Sequence, residues 1–110
     1  MTYDDVTKAL AAAGFFTYYR RESDTLICST AEWPNVPQMA NSFWLDKQCS
    51  DWSVATWAPH LYRFADEASV PNACIAWLRR HTEPAQWGLD DGFKAEFALS
   101  EVDSDDLPGK

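Results

Sequence analysis

Cys49, Asp51 and His60 are the residues of this 110-residue chain whose types could support nucleophilic catalysis. A thiolate needs a nearby imidazole to activate it, and that imidazole needs a group to orient it. Their spacing does not force the three together, and neither a nucleophile elbow nor a cysteine-enzyme signature surrounds them. They read as turn and strand-edge residues. His81 and Glu83 lie close in sequence to Asp90 and Asp91 and could in principle hold a metal. A zinc site takes three or four ligands in fixed geometry, however, and a helix end followed by Asp90-Asp91-Gly92 is explained by capping and a turn. Gly14, Gly88, Gly92 and Gly109 form no phosphate-cradling loop. The sequence therefore predicts no catalytic residues, no metal and no cofactor.

The formal net charge is -8 and is unevenly spread. From Glu83 to Lys110 eight acids face only Lys94 and Lys110, whereas the first 82 residues are nearly balanced, with nine acids against seven bases. Nucleic acid and anionic membrane are poor direct partners, because a polyanion needs a Lys/Arg patch that can release its counterions. Arg20-Arg21 and Arg79-Arg80 are too small to supply one. A basic protein is the partner this charge favours, with Asp90, Asp91, Glu101, Asp103, Asp105 and Asp106 attracting it. Trp87 would be the aromatic anchor among these carboxylates. The alternative is a solvated acidic face and tail that keep the chain in solution.

Cys28, Cys49 and Cys74 form no CxxC and no Cys/His cluster, the first residues run into an acidic amphipathic helix unlike a signal peptide, and no apolar run reaches the roughly 20 residues that span a bilayer. A reducing cytoplasm is the expected home.

The elements follow from periodicity. Residues 2 to 13 form a helix capped by Thr2, with Tyr3, Val6, Ala9, Leu10 and Ala13 on one stripe and Gly14 as its stop. Phe15 to Arg21 and Thr25 to Thr30 form a hairpin turning at Glu22-Ser23-Asp24, with both sides of the first strand covered. Residues 31 to 40, with Pro34, Pro37 and Trp33, are an irregular connection and a candidate binding loop.

The stretch Asn41 to Ala65 is the centre of an antiparallel sheet. Two runs join around Gln48-Cys49-Ser50-Asp51, and a third, His60 to Phe64, follows a turn or sheet edge at Pro59. A second helix from Val70 to about His81 is capped by Ser69 and buries Val70, Cys74, Trp77 and Leu78. Alternation from Phe93 to Ser100 favours a strand, although Phe93 and Phe97 also share helical spacing. The chain is read as a single α+β domain: an antiparallel sheet of about five strands packed with an N-terminal helix and a second helix near residues 70–81, ending in an acidic tail from about 103.

In size, charge and the lack of a reactive cluster the chain looks like the small bacterial immunity proteins that neutralise nuclease or other toxins. That resemblance implies a non-catalytic inhibitor of a basic partner and assigns no residue a role. A second expectation is a small-ligand-binding or enzymatic α+β domain, with Trp44, Trp52, Trp57 and Tyr62 lining a pocket on the sheet. A third is a homodimer that buries the surplus aromatic surface.

Overall fold

A computed structural model describes residues 1–32, 42–49, 51–55, 61–80 and 91–102. Its first helix, α1 (Tyr3–Ala12), begins and ends as the sequence dictates. The Thr2 side chain accepts from the Asp5 backbone N–H, and the Asp5 carboxylate accepts from the Thr2 N–H at 2.8 Å, closing a reciprocal capping box. At the other end Gly14 takes φ +89°. The Gly14 N–H then reaches the Ala11 carbonyl, and the Phe15 N–H reaches back to Leu10 at 2.9 Å. This paired closure needs a residue that tolerates positive φ, which is why the helix stops at the glycine.

Six strands follow in simple meander order: β1 (Phe16–Arg20), β2 (Thr25–Ser29), β3 (Ser42–Gln48), β4 (Asp51–Ala55), β5 (Leu61–Phe64) and β6 (Leu99–Glu101). Every neighbouring pair is antiparallel. The register puts Tyr19, Leu26, Leu45, Val54 and Tyr62 in one row across the sheet. Because side chains alternate along a strand, this row and its same-parity neighbours define one face. That face meets Val6 and Leu10 of α1, Phe93 of α3 (Asp91–Glu96), and Val70, Ala73, Cys74, Trp77 and Leu78 of α2 (Val70–Arg80) in one core. Trp77 is central: it stacks on Phe43 at 4.5 Å and meets the edges of Tyr62 and Phe93 at 6.3 and 6.2 Å. The opposite face carries Phe16, Tyr18, Ile27, Trp44, Ala55 and Arg63.

The α+β class, the antiparallel sheet and both expected helices are present, and the sixth strand comes from residues 99–101. Several local expectations need correction. Residues 91–96 form a helix rather than part of a strand, and only Leu99–Glu101 joins the sheet. Helical spacing brings Phe93 and Phe97 to 5.0 Å and packs them on the core, while Ala98, at φ +54°, turns the chain sharply into β6. Asp66, not Ser69, caps the entry to α2. Its carboxylate accepts from the Ala68 N–H and the Ser69 hydroxyl at the start of a short 3-10 turn, Glu67–Ser69, that runs directly into the helix. Finally, β1 is not covered on both sides. It lies at the sheet edge, and Phe16, Tyr18 and Tyr19 are each about two-fifths to one-half exposed. Residues 33–40 of the loop expected at 31–40, and the turn at Pro59, lie outside the described residues.

Candidate functional site

An antiparallel meander places alternate turns at the same end. The β1–β2 turn, the β3–β4 turn and the exit from β5 therefore share one end of the sheet, and the start of α1 lies over it. Tyr3 joins these parts. Its hydroxyl donates to the Asp24 carbonyl at 2.8 Å and accepts from the Lys47 backbone N–H at 2.9 Å. Its ring lies 5.7 Å from Tyr19 and 5.6 Å from Trp52, edge-on to the latter. Tyr19 in turn donates to Asp24 Oδ1 at 2.7 Å. The Trp52 indole N–H donates to Glu67 Oε2 at 2.7 Å, and Glu67 Oε1 lies 3.3 Å from the amino group of Met1. Lys47 covers the Trp52 ring at 5.3 Å and donates to the Met1 carbonyl.

The electrostatics of this end are set by its hydrogen bonds and burial. Burial, followed by the charges of Asp46 and Asp24, pushes Tyr3 up to about 12 against the lowering effect of the Lys47 N–H. The bond to Asp24 raises Tyr19, and the Trp52 N–H lowers Glu67. Both phenols are thus held protonated at neutral pH and Glu67 is held ionised. Such groups position and attract, and they are badly matched to proton transfer near neutrality.

Carboxylates far apart in sequence lie toward this end of the sheet. Asp4 at the start of α1, Glu22 and Asp24 in the first turn, Asp46 and Asp51 flanking the second, and Glu67 below β5 converge on the end that Tyr3 ties together. Arg20, Arg21, Lys47 and the Met1 ammonium are cations at the same end, and the last is paired with Glu67. Linear charge counting missed this cluster, because the first 82 residues are nearly neutral overall. The available signal was position: each acid sits at a turn or helix start on the same side of the meander.

The acids singled out in the C-terminal quarter fare differently. Asp91 begins α3, fully exposed, 3.2 Å from Lys94. Glu101 is exposed on β6 and adds to the field that raises Lys94. Glu96 is paired by both Arg80 guanidinium nitrogens, which lower its carboxyl. Trp87, Asp90, Asp103, Asp105 and Asp106 lie outside the described residues.

Cys49 occupies the β3–β4 turn at φ +60°, exposed, while Asp51 opens β4; His60 is outside the described residues. Of the four possible metal-binding residues only Asp91 is described. Among the described residues no group of three or more His, Cys, Asp and Glu could hold a metal ion, and no helix is long and apolar enough to cross a membrane. The four rings assigned to one sheet pocket do not share a face. Trp52 and Tyr62 are buried against the helices, and Trp44, between Phe43 and Leu45, points to the other side. Trp57 is outside the described residues.

What the fold defines is a small α+β protein in which, among the described residues, three α-helices lie on one face of a six-stranded antiparallel meander. No family model matches the chain, and neither a curated protein nor a solved structure matches it.

Proposed function

We propose that this protein is a non-catalytic binding module that captures and occludes a basic protein partner in the manner of an immunity protein. One observation carries the reading: Asp4, Glu22, Asp24, Asp46, Asp51 and Glu67 outnumber Arg20, Arg21, Lys47 and the Met1 ammonium at the turn end of the sheet, where Asp24 accepts from the exposed Tyr19, on a chain of net charge -8. Long-range attraction by such an end speeds encounter with a cationic surface, and a rigid aromatic at its centre slows release. Hydrogen bonds to neighbouring backbone and side chains already fix Tyr3, Tyr19 and Asp24, so little ordering cost remains to be met on binding. The C-terminal acids Asp90, Asp91, Glu101, Asp103, Asp105 and Asp106, with Trp87, are the further partner-binding residues of this proposal and contribute to the net charge of -8. A reducing cytoplasm is its proposed setting, where Cys28, Cys49 and Cys74 stay free thiols.

The experiment is a cross-linking capture followed by binding kinetics on the isolated pair. The reading expects a partner with a basic contact face and an association rate that falls steeply with salt. It also expects the combined Glu22→Gln, Asp24→Asn and Asp51→Asn variant to slow association at least about tenfold while leaving the circular dichroism unchanged. An acidic or neutral contact face, or a salt-independent rate, overturns it.

A further inference from the structure

Two thiols that the binding surface does not use meet in the core. Cys28 of β2 lies directly opposite Phe43 in the register, so the two share the face that is turned toward the helices. The Phe43 ring stacks on Trp77 at 4.5 Å, and Cys74 precedes Trp77 by about one turn on the buried stripe of α2. Strand register and helical spacing thus bring both side chains to one place, where they share a hydrogen bond. They are 0 and 1 % exposed, and both are free thiols. We propose that Cys28 and Cys74 form a redox bolt, a dithiol that closes under oxidising conditions into a disulfide fastening α2 to β2.

The fold selects these two thiols over the third. Cys49 lies in the exposed β3–β4 turn, whereas Cys28 and Cys74 are already neighbours, so little chain entropy is lost when their sulfurs close to about 2.0 Å. The oxidant is a small disulfide such as oxidised glutathione. One core thiol attacks it as the thiolate and releases one glutathione. The second, again as the thiolate, attacks the protein sulfur of the mixed disulfide and releases the other. Two protein thiols are oxidised to one disulfide, the oxidant is reduced to two thiols, and the two protons end on the departing glutathiones. Burial holds the Cys28 thiol well above its ordinary value and shuts out the oxidant, so the first attack waits until α2 lifts from the sheet. The bond closes as the helix returns and then opposes the next opening. In a reducing setting the pair stays open. The bolt rests on core packing and stands whether or not the chain captures a basic partner.

Equilibration with mixtures of reduced and oxidised glutathione, in native buffer and in unfolding urea, tests the proposal. It is run on the unaltered chain and on Cys49→Asn, which leaves only the core thiols and suits the φ of +60° at that turn. Peptide mapping is expected to find a Cys28–Cys74 disulfide in both chains. By linkage, the fold favours this disulfide by the factor with which the disulfide favours the fold. Closure in the Cys49→Asn chain should therefore be favoured about tenfold or more in native buffer over urea. The urea midpoint should rise on oxidation and return on reduction with dithiothreitol, a change absent from Cys74→Ala. Should Cys74→Ala fail to fold, the glutathione equilibrium of the Cys49→Asn chain decides alone. A smaller preference for closure in native buffer, a lasting glutathione adduct in place of the bond, a bond from Cys49 to either core thiol, or an oxidised chain that unfolds at the same or lower urea overturns the proposal.

Discussion

The Trp52 indole N–H donates to the Glu67 carboxylate at 2.7 Å, tying the fourth strand to the turn that launches α2. Trp52 is almost wholly buried, and Glu67 is half-exposed at its rim. A buried indole N–H without an acceptor is costly. The pair therefore fixes where the α2 entry sits on the sheet, and it makes an acid-sensitive joint.

Stability should fall on the acid side because of such joints. Trp52 lowers Glu67, Arg80 lowers Glu96, and the Thr2 backbone and hydroxyl lower Asp5. A carboxyl whose folded value lies below its unfolded one contributes stability above the unfolded value, about 4.3 for Glu and 3.9 for Asp, and loses it as pH falls through the folded value. Thermal melts taken downward from neutrality should decline below about pH 4.5. Glu67→Gln, which keeps an acceptor but loses the charge, should flatten part of that decline.

An alkaline limb should appear as well. Tyr3 is pushed up to about 12 and Tyr19 is also raised, so the folded chain keeps these protons after the unfolded chain has released them. The contribution is intact below about pH 10 and is lost as pH rises through the folded values. Ultraviolet titration of the native protein should show a tyrosine ionising last, near 12, and Tyr3→Phe should remove that step.

Trp77 is the keystone of the aromatic core, in contact with Phe43, Tyr62 and Phe93. Trp77→Ala should cost about 3–5 kcal/mol in urea unfolding, because the cavity it leaves is walled by three rings from separate elements that cannot collapse together. A loss near that of a surface substitution would place the core elsewhere.

The three thiols should separate by accessibility. Cys49 is exposed, whereas Cys28 and Cys74 are buried in the core. Burial, reinforced by its hydrogen bond with Cys74, pushes the Cys28 thiol well above its ordinary value. Ellman's reagent should therefore titrate one thiol in the native chain and three after unfolding, since the thiolate is the reactive form.

Ala98 holds φ +54°, a conformation that costs a residue with a Cβ about 1–2 kcal/mol. Ala98→Gly should raise stability by about 1 kcal/mol. Gly14→Ala, at φ +89° with open space around it, should lower stability by a similar amount through backbone strain alone.

Local chemistry was sufficient where an element closes on itself. Thr2, Asp5 and Gly14 delimit α1 through bonds within a few residues, and the alternation of Trp52 and Val54 with Ser53 and Ala55 marks a strand buried on one face. The Phe93 to Ser100 stretch fits both periods equally well. What chose a helix there was Trp77, a ring from another element against which Phe93 packs, and no window along the chain contains that contact. Ser69 lost the cap to Asp66 because a 3-10 turn lengthened the entry by one step, a matter of backbone geometry rather than residue type. The acidic end shows the same division: the sequence by itself determined the amount of charge and the positions of the turns, and only the pairing of six strands in meander order brought Asp4, Asp24, Asp51 and Glu67 to one end. Charge interacts through space, and distance in space is what the fold decides.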